Sequence, residues 1–246
     1  MLDYDLEARR YDETRGGDVR AEAAAAAVGS LLPAGVLRVL DAGAGTGIVS
    51  AAVARRGHEV FGLDRSFGML RYAADRLGGR RMCADVTALP VRDGAFDAVY
   101  LMWLLHLVRD SEAAVAECVR VLRPGGVLVT SVDVHLAHQG VPSDVTAVLG
   151  RHATAGWPAD QRDGRQRVTA AAQAAGAVPT AECTYLGYGR GMSPRAAAAS
   201  ARRGVDLAAS VDDDRRDACV AELEALPDQE VRRPDPDYTM VSFTRV

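Results

Sequence analysis

Asp41, Asp64 and Asp85 each close a short run that reads as a strand, and Gly43, Gly45 and Gly47 follow the first of them at every second position. In "VLRVLDAGAGTGIVSAAVARRG", residues 36–57, a glycine-rich turn joins an apolar strand to a helix, the place where a nucleotide-like ligand approaches backbone that a Cβ would block. The dinucleotide fingerprint needs a third small residue where Ile48 stands, and Asp41 would repel a pyrophosphate. A ligand bearing ammonium or sulfonium charge is favoured there instead. Asp64 ends "VFGLD", where a carboxylate can accept hydrogen bonds from both hydroxyls of a ribose. Asp85, in "MCADVTALP", is placed to accept from an adenine amino group, with the Val86 N–H on the ring edge and Met69 on its face.

Candidates for proton transfer are few. His106, in "WLLHLV", reads either as a structural histidine bonded to a backbone carbonyl or as a base, and His135 and His138 follow in "SVDVHLAHQG". Position at the substrate edge makes His135 the better base candidate of that pair. Trp103, Trp157, Tyr185 and Tyr188 serve equally as core or as walls of a pocket for a flat molecule.

The elements that must position these residues alternate. "VLRVLDA", "HEVFGLD", "RRMCAD" and "AFDAVYLM" read as strands, "IVSAAVARRG" as a helix closed by Gly57, and "SFGMLRYAADRLGG" as one helix capped by Ser66. "DSEAAVAECVRVLRPGG" predicts a helix ended by Pro-Gly-Gly that feeds the strand "VLVTSVDV". Such repeats imply a parallel sheet covered on both faces, with its ligand beyond the carboxyl ends of the strands. After about residue 134 the texture changes, with helices expected around 143–149, 165–175, 193–204 and 212–226 and strands in "AECTYLGYG" and "DYTMVSFTRV". We divide the chain into an N-terminal helical lid (1–35), a binding core (36–134) and a C-terminal part (135–246) that completes the sheet and adds helices around the substrate.

Composition narrows the partners. The chain has 246 residues and a net charge of -4, which gives no electrostatic reason for a nucleic-acid partner. All its basic residues are arginine, the pattern of a GC-rich bacterial coding sequence, so no lysine is available for a Schiff base or a P-loop. The four cysteines form no Cys-x-x-Cys pair, and we expect no metal. The charged start is no signal peptide, and the stretch "AEAAAAAVGSLLPAGVL" is too interrupted to span a bilayer, so a cytoplasmic location is expected.

"VLDAGAGTG", "GLDRSFGML", "CADVTALP", "FDAVYLMWLLHLV" and "VLRPGGVLV" stand in an order and spacing that resemble the class I S-adenosylmethionine-dependent methyltransferases, most of all the small-molecule type 11 branch. The resemblance covers roughly residues 37–131. It implies a Rossmann-like α/β fold with a seven-stranded sheet of order 3-2-1-4-5-7-6, the last strand antiparallel, helices on both faces and cap helices at the ligand edge. It implies S-adenosyl-L-methionine as cofactor and S-adenosyl-L-homocysteine as product. Asp41 and the glycine turn would border the methionine moiety. Asp64, with Arg65 beside it, would hold the ribose, and Asp85 and Val86 the adenine. The backbone near Leu101 would meet the methionine amino group, and His106 would lie where cofactor and substrate meet. Tyr11 and Arg15 of "YDETRG" resemble a lid, with Arg15 suited to the methionine carboxylate.

Missing motifs narrow the acceptor. Asp/Asn-Pro-Pro-Tyr of the nucleobase amino-methyltransferases, the Pro-Cys nucleophile of cytosine C5 enzymes, the paired glutamates of protein-arginine enzymes and the Asp-Asn magnesium pair of catechol-type enzymes are all absent. The expectation is metal-independent methylation of O, N or C on a small organic molecule, in bacterial secondary-metabolite biosynthesis. Two rivals are an NAD(P)-dependent oxidoreductase and a non-methylating member of the same fold.

Overall fold

Val39, Leu40, Val60, Val99 and Leu128 are wholly buried, so the central strands are apolar on both faces and need cover on both. The computed structural model of the protein describes residues 4–35, 37–152, 161–204, 207 and 211–246. The chain opens with α1 (Tyr4–Glu7), α2 (Tyr11–Thr14) and α3 (Gly17–Leu31). It continues through β1 (Arg38–Ala42), α4 (Ile48–Ala54), β2 (Glu59–Asp64), α5 (Phe67–Tyr72), α6 (Ala74–Leu77) and β3 (Arg81–Cys83). Next come β4 (Phe96–Leu101), α7 (Ser111–Arg120), β5 (Leu122–Val132), α8 (Val134–Gln139) and α9 (Asp144–His152). The last elements are α10 (Arg165–Ala174), β6 (Ala177–Leu186), α11 (Pro194–Arg202), α12 (Asp213–Glu224) and β7 (Asp237–Arg245).

The strands form one 7-stranded sheet in the order β3-β2-β1-β4-β5-β7-β6, as the resemblance implies. β7 runs antiparallel to both β5 and β6, and the other pairings are parallel. The winding reverses between β1 and β4, which opens a crevice at their carboxyl ends. Alternation along β1 sends Val39 to one face, against Ala24, Val28 and Val53 of α3 and α4. Leu40 goes to the other, with Val115 of α7 and Val168 of α10. Truncating such a residue to alanine costs about 2–5 kcal/mol. A third cluster, built on Val148, Ala197, Ala201 and Leu223, joins α9, α11 and α12.

Local capping follows the sequence. Ser66 and Asp212 cap α5 and α12, their side chains accepting from the N–H groups of Met69 and Arg215. Several elements differ from expectation. Helix α7 stops at Arg120, and "LRPGG" lies inside β5, where the register against β4 shifts between Phe96 and Ala98. Gly126 is required in that irregularity, because a Cβ would come within 2.9 Å of the carbonyl oxygens of Asp97 and Arg123. The single helix expected over 66–79 is two, broken at Ala73 where the chain packs against Gly47. Helix α3 is a covering element of the sheet, so the part of residues 1–35 that faces the ligand edge is 4–16; α10 likewise covers the sheet beside α7 and β6. Trp157 lies outside the described residues.

Candidate functional site

The glycine turn is pinned at its start by the N–H groups of Gly43 and Ala44, which both donate to the carbonyl of Leu63 at 2.7 and 2.9 Å. Gly43, Gly45 and Gly47 all have positive φ, at 93°, 54° and 74°. A Cβ on Gly43 would strike Leu104 Cδ2 at 2.7 Å, and one on Gly47 would lie 3.1 Å from Ala73 Cβ. A Cβ on Gly45 would meet nothing within 4 Å. Protein therefore closes the turn on two sides and leaves it open at Gly45.

Asp41 is 2% exposed, and its Oδ2 accepts from Ser50 Oγ at 2.5 Å and Tyr100 Oη at 2.7 Å. Its Oδ1 is buried without a partner. Burial pushes its pKa up to about 7 against the pull of both hydroxyls. Asp64 Oδ2 accepts from Gly45 N and Oδ1 from Ser66 N, both at 2.8 Å, and burial raises its pKa too. The Arg65 N–H also donates toward this carboxylate. Asp85 is exposed, and Thr87 donates to its Oδ1 through both N–H and hydroxyl, holding the carboxyl below its ordinary range. The Val86 N–H donates to no described residue. Arg65 is exposed and lowers the pKa of both Asp64 and Asp85, which puts it between them. Met69 is only 2% exposed.

The N-terminal segment is fastened over this crevice by two acids that sequence reasoning passed over. Asp5 Oδ1 accepts from Ser66 Oγ and from Gly68 N, the latter at 2.8 Å. Asp12 accepts from Thr46 Oγ1 at 2.6 Å and pairs with Arg76 Nη1 at 2.9 Å. Tyr11 packs on Tyr4 with ring centroids 6.3 Å apart, and Arg15 Cζ lies 5.7 Å from the Tyr11 ring. The Tyr4 hydroxyl is raised chiefly by burial and further by Tyr11 and Asp64, while Arg15 opposes them, so these four groups share one neighbourhood.

Across the crevice β4 ends at the fully buried Leu101. Trp103 follows at φ 50°, in the left-handed region, with its N–H donating to Ser131 Oγ at 2.9 Å. His106 Nδ1 lies 4.0 Å from Oδ2 of Asp163, a residue 3% exposed that also accepts from Val134 N at 2.9 Å. His106 Nδ1 thus faces a carboxylate at ion-pair range without a hydrogen bond to it, a neighbour that no local sequence signal announces. His135 falls in α8, and its side chain lies outside the described residues. His138 Nε2 is 2.7 Å from Tyr238 Oη. Among the described residues no cluster of His, Cys, Asp or Glu has metal-site geometry, and no helix is long and apolar enough to cross a membrane.

These residues fit the cofactor that the resemblance implies. The orphaned Oδ1 of Asp41 suits an ammonium, the opening at Gly45 admits a ligand to bare backbone, and Asp85 and Val86 offer an acceptor and a donor side by side. The family described as "Methyltransferase domain" matches residues 40–130. The demethylmenaquinone methyltransferase of Thermobifida fusca is 43% identical over 107 residues, covering 41% of this chain and 45% of that protein. The one from Parafrankia sp. is 38% identical over 151 residues, covering 51% and 59%. The chain thus spans about half the length of these curated relatives. In overall fold it is similar to the cyclase SpnF, with a TM-score of 0.63 at 21% identity over 98% of this chain and 94% of that one. It is also similar to geranyl diphosphate methyltransferase, with a TM-score of 0.52 at 20% identity over 93% and 85%. The match over residues 40–130 and the similarity in fold together support the resemblance to the type 11 branch of the class I S-adenosylmethionine-dependent methyltransferases.

Proposed function

We propose that the protein transfers a methyl group from S-adenosylmethionine to O, N or C of a small organic molecule, in the tailoring of a bacterial secondary metabolite. The observation that carries this reading is the pairing of an unpartnered, buried Asp41 Oδ1 with a glycine turn open only at Gly45. A pyrophosphate would meet that carboxylate at its own charge, whereas an amino-acid ammonium would find its partner there. The demethylmenaquinone enzymes among its relatives support a small, non-polymeric acceptor.

Bound S-adenosylmethionine would supply a sulfonium-activated methyl group, which passes in line to the acceptor's lone pair while the sulfur leaves as a neutral thioether. The protein's own work is placement and exclusion of water. Asp41 would hold the ammonium, Arg15 the carboxylate, Asp64 the ribose, and Asp85 with Val86 the adenine. The segment 4–16, fastened through Asp5 and Asp12, would cover the bound molecule. His106, oriented by Asp163, would take the acceptor's proton where the acceptor is a hydroxyl or acidic carbon.

Calorimetric titration of the full chain with S-adenosylmethionine, S-adenosylhomocysteine, NAD and NADP tests the proposal. Binding of the first two alone is expected. Preference for a nicotinamide dinucleotide, or no binding by the first two, would sink it.

A further inference from the structure

Arg20 stands in the first turn of α3, the first position of a buried stripe that continues through Ala24 and Val28. It is 5% exposed. Its Cζ lies 3.4 Å from the ring centroid of Trp103 and 5.7 Å from that of Tyr238, and one Nη donates to the Arg15 carbonyl at 3.1 Å. Its Nε has no partner. Among the described residues it forms no ion pair with a carboxylate. The groups that bear on its charge are the phenols of Tyr238, Tyr11 and Tyr185 and a second guanidinium, Arg190. A buried cation faced by phenols and another cation is expensive to maintain for packing alone.

Two further donors in the same cluster, Trp103 Nε1 and Tyr185 Oη, are buried without a well-formed hydrogen bond, the indole N–H lying close enough to bear on the phenol. The Tyr185 and Trp103 rings sit 5.7 and 6.1 Å from the ring of Tyr238, so all three donors gather around one aromatic wall. That wall is at the ligand edge. Trp103 follows the carboxyl end of β4, Tyr185 is the penultimate residue of β6, and Tyr238 opens the antiparallel β7. The cluster lies on the β4–β7–β6 side of the crevice, whereas Arg15 shares the neighbourhood of Asp64 at the end of β2. The strained φ of Trp103 sets its indole against the guanidinium.

We propose that Arg20, Trp103 Nε1 and Tyr185 Oη form an anion subsite that binds a carboxylate or ionised phenol carried by the methyl acceptor. A planar anionic oxygen group would supply the missing charge to Arg20 and acceptor lone pairs to all three donors. The aromatic wall would pack against the adjoining apolar body of the same molecule. The reading of the anion as part of the acceptor rests on the methyltransferase proposal; the subsite itself does not.

The test uses benzoate and its neutral counterpart benzamide, titrated calorimetrically into the full chain with and without saturating S-adenosylhomocysteine. Benzoate is expected to bind about 10-fold or more tightly than benzamide, the value of a charge-assisted hydrogen bond. Arg20→Met, which keeps an unbranched apolar chain over Trp103, should abolish the preference and leave S-adenosylhomocysteine affinity within about twofold of the parent. Tyr185→Phe serves as a second, milder variant and should weaken benzoate several-fold without affecting benzamide. Equal binding of the two probes, no benzoate binding, or an undiminished preference in Arg20→Met overturns the subsite. A loss of S-adenosylhomocysteine affinity in Arg20→Met that matches the loss for benzoate assigns the guanidinium to the cofactor and overturns it as well. Failure of the methyltransferase reading shows separately, as an unmodified chain that does not bind S-adenosylhomocysteine.

Discussion

Tyr100 donates its hydroxyl to the Oδ2 of Asp41 and leaves the other oxygen of that carboxylate buried and bare. Ser50 donates to the same Oδ2, so two hydroxyls from α4 and β4 fix the carboxyl plane at the head of the glycine turn. The arrangement is half of a binding site.

Its first consequence is a dependence on pH. Burial raises the folded-state pKa of Asp41 from 3.8 to about 7. Its contribution to stability is therefore complete below about pH 4 and is lost as pH rises through about 7. Asp41→Asn retains an acceptor for Ser50 and Tyr100 and has no charge to desolvate. Between about pH 5 and pH 8 the melting temperature of the ligand-free variant should rise relative to the parent, by about 2–4 °C for each kcal/mol recovered. The same variant should bind S-adenosylhomocysteine about 10-fold or more weakly, because the ammonium loses its counter-charge. Parallel melting curves across that pH range would show that Asp41 is not held protonated.

The sequence reading succeeded where the signal is local. Asp41 is the penultimate residue of β1, Asp64 ends β2, Asp85 lies two residues past β3, and the turn glycines all need positive φ, because strand ends and backbone conformation are set by a few neighbouring residues. It failed where function depends on distant partners. Asp163 reads as part of a polar loop, yet its carboxylate meets Val134 and His106 from another part of the chain. Arg20 was hidden in an alanine-rich helix. Its spacing of four from Ala24 and eight from Val28 was the available clue, since it places a charge on the buried stripe. "LRPGG" misled for a physical reason: proline and glycine break helices, but they also serve a strand irregularity.

Asp12 couples the N-terminal segment to the glycine turn through Thr46 and to α6 through Arg76. Asp12→Ala should loosen residues 4–16 without unfolding the sheet, which α3 covers independently. Hydrogen exchange should accelerate in that segment and stay unchanged in β1, β4 and β5. Affinity for S-adenosylhomocysteine should fall about 10-fold, the scale of one charged hydrogen bond. Unchanged exchange in residues 4–16 would refute the coupling.

Gly45 and Gly57 form a matched pair. Both have positive φ, 54° and 95°, and a Cβ on either meets nothing within 4 Å. Alanine at each position should cost stability through backbone strain, about 1–2 kcal/mol. At Gly45 alone the added methyl would occupy the ligand's approach to the backbone, so cofactor-product binding should disappear from Gly45→Ala and persist in Gly57→Ala. Calorimetry on both variants, alongside chemical denaturation, reads the two effects separately. Equal binding by the two variants would remove Gly45 from the site.

Asp163 has two roles that different substitutions separate. Its Oδ2 accepts from Val134 N at 2.9 Å and lies 4.0 Å from His106 Nδ1, while its main-chain carbonyl accepts from Asp133 N at 3.0 Å. Asp163→Ala leaves the Val134 N–H buried without a partner and should lower unfolding free energy by about 1–3 kcal/mol. Asp163→Asn can keep an oxygen toward Val134 and should recover most of that loss. It cannot supply the charge that steadies a protonated imidazole. If His106 takes the acceptor's proton, Asp163→Asn should reduce methyl-transfer kcat about 10-fold or more at unchanged affinity for S-adenosylhomocysteine. An asparagine variant as active as the parent, in a fold as stable, would confine Asp163 to its bond with Val134.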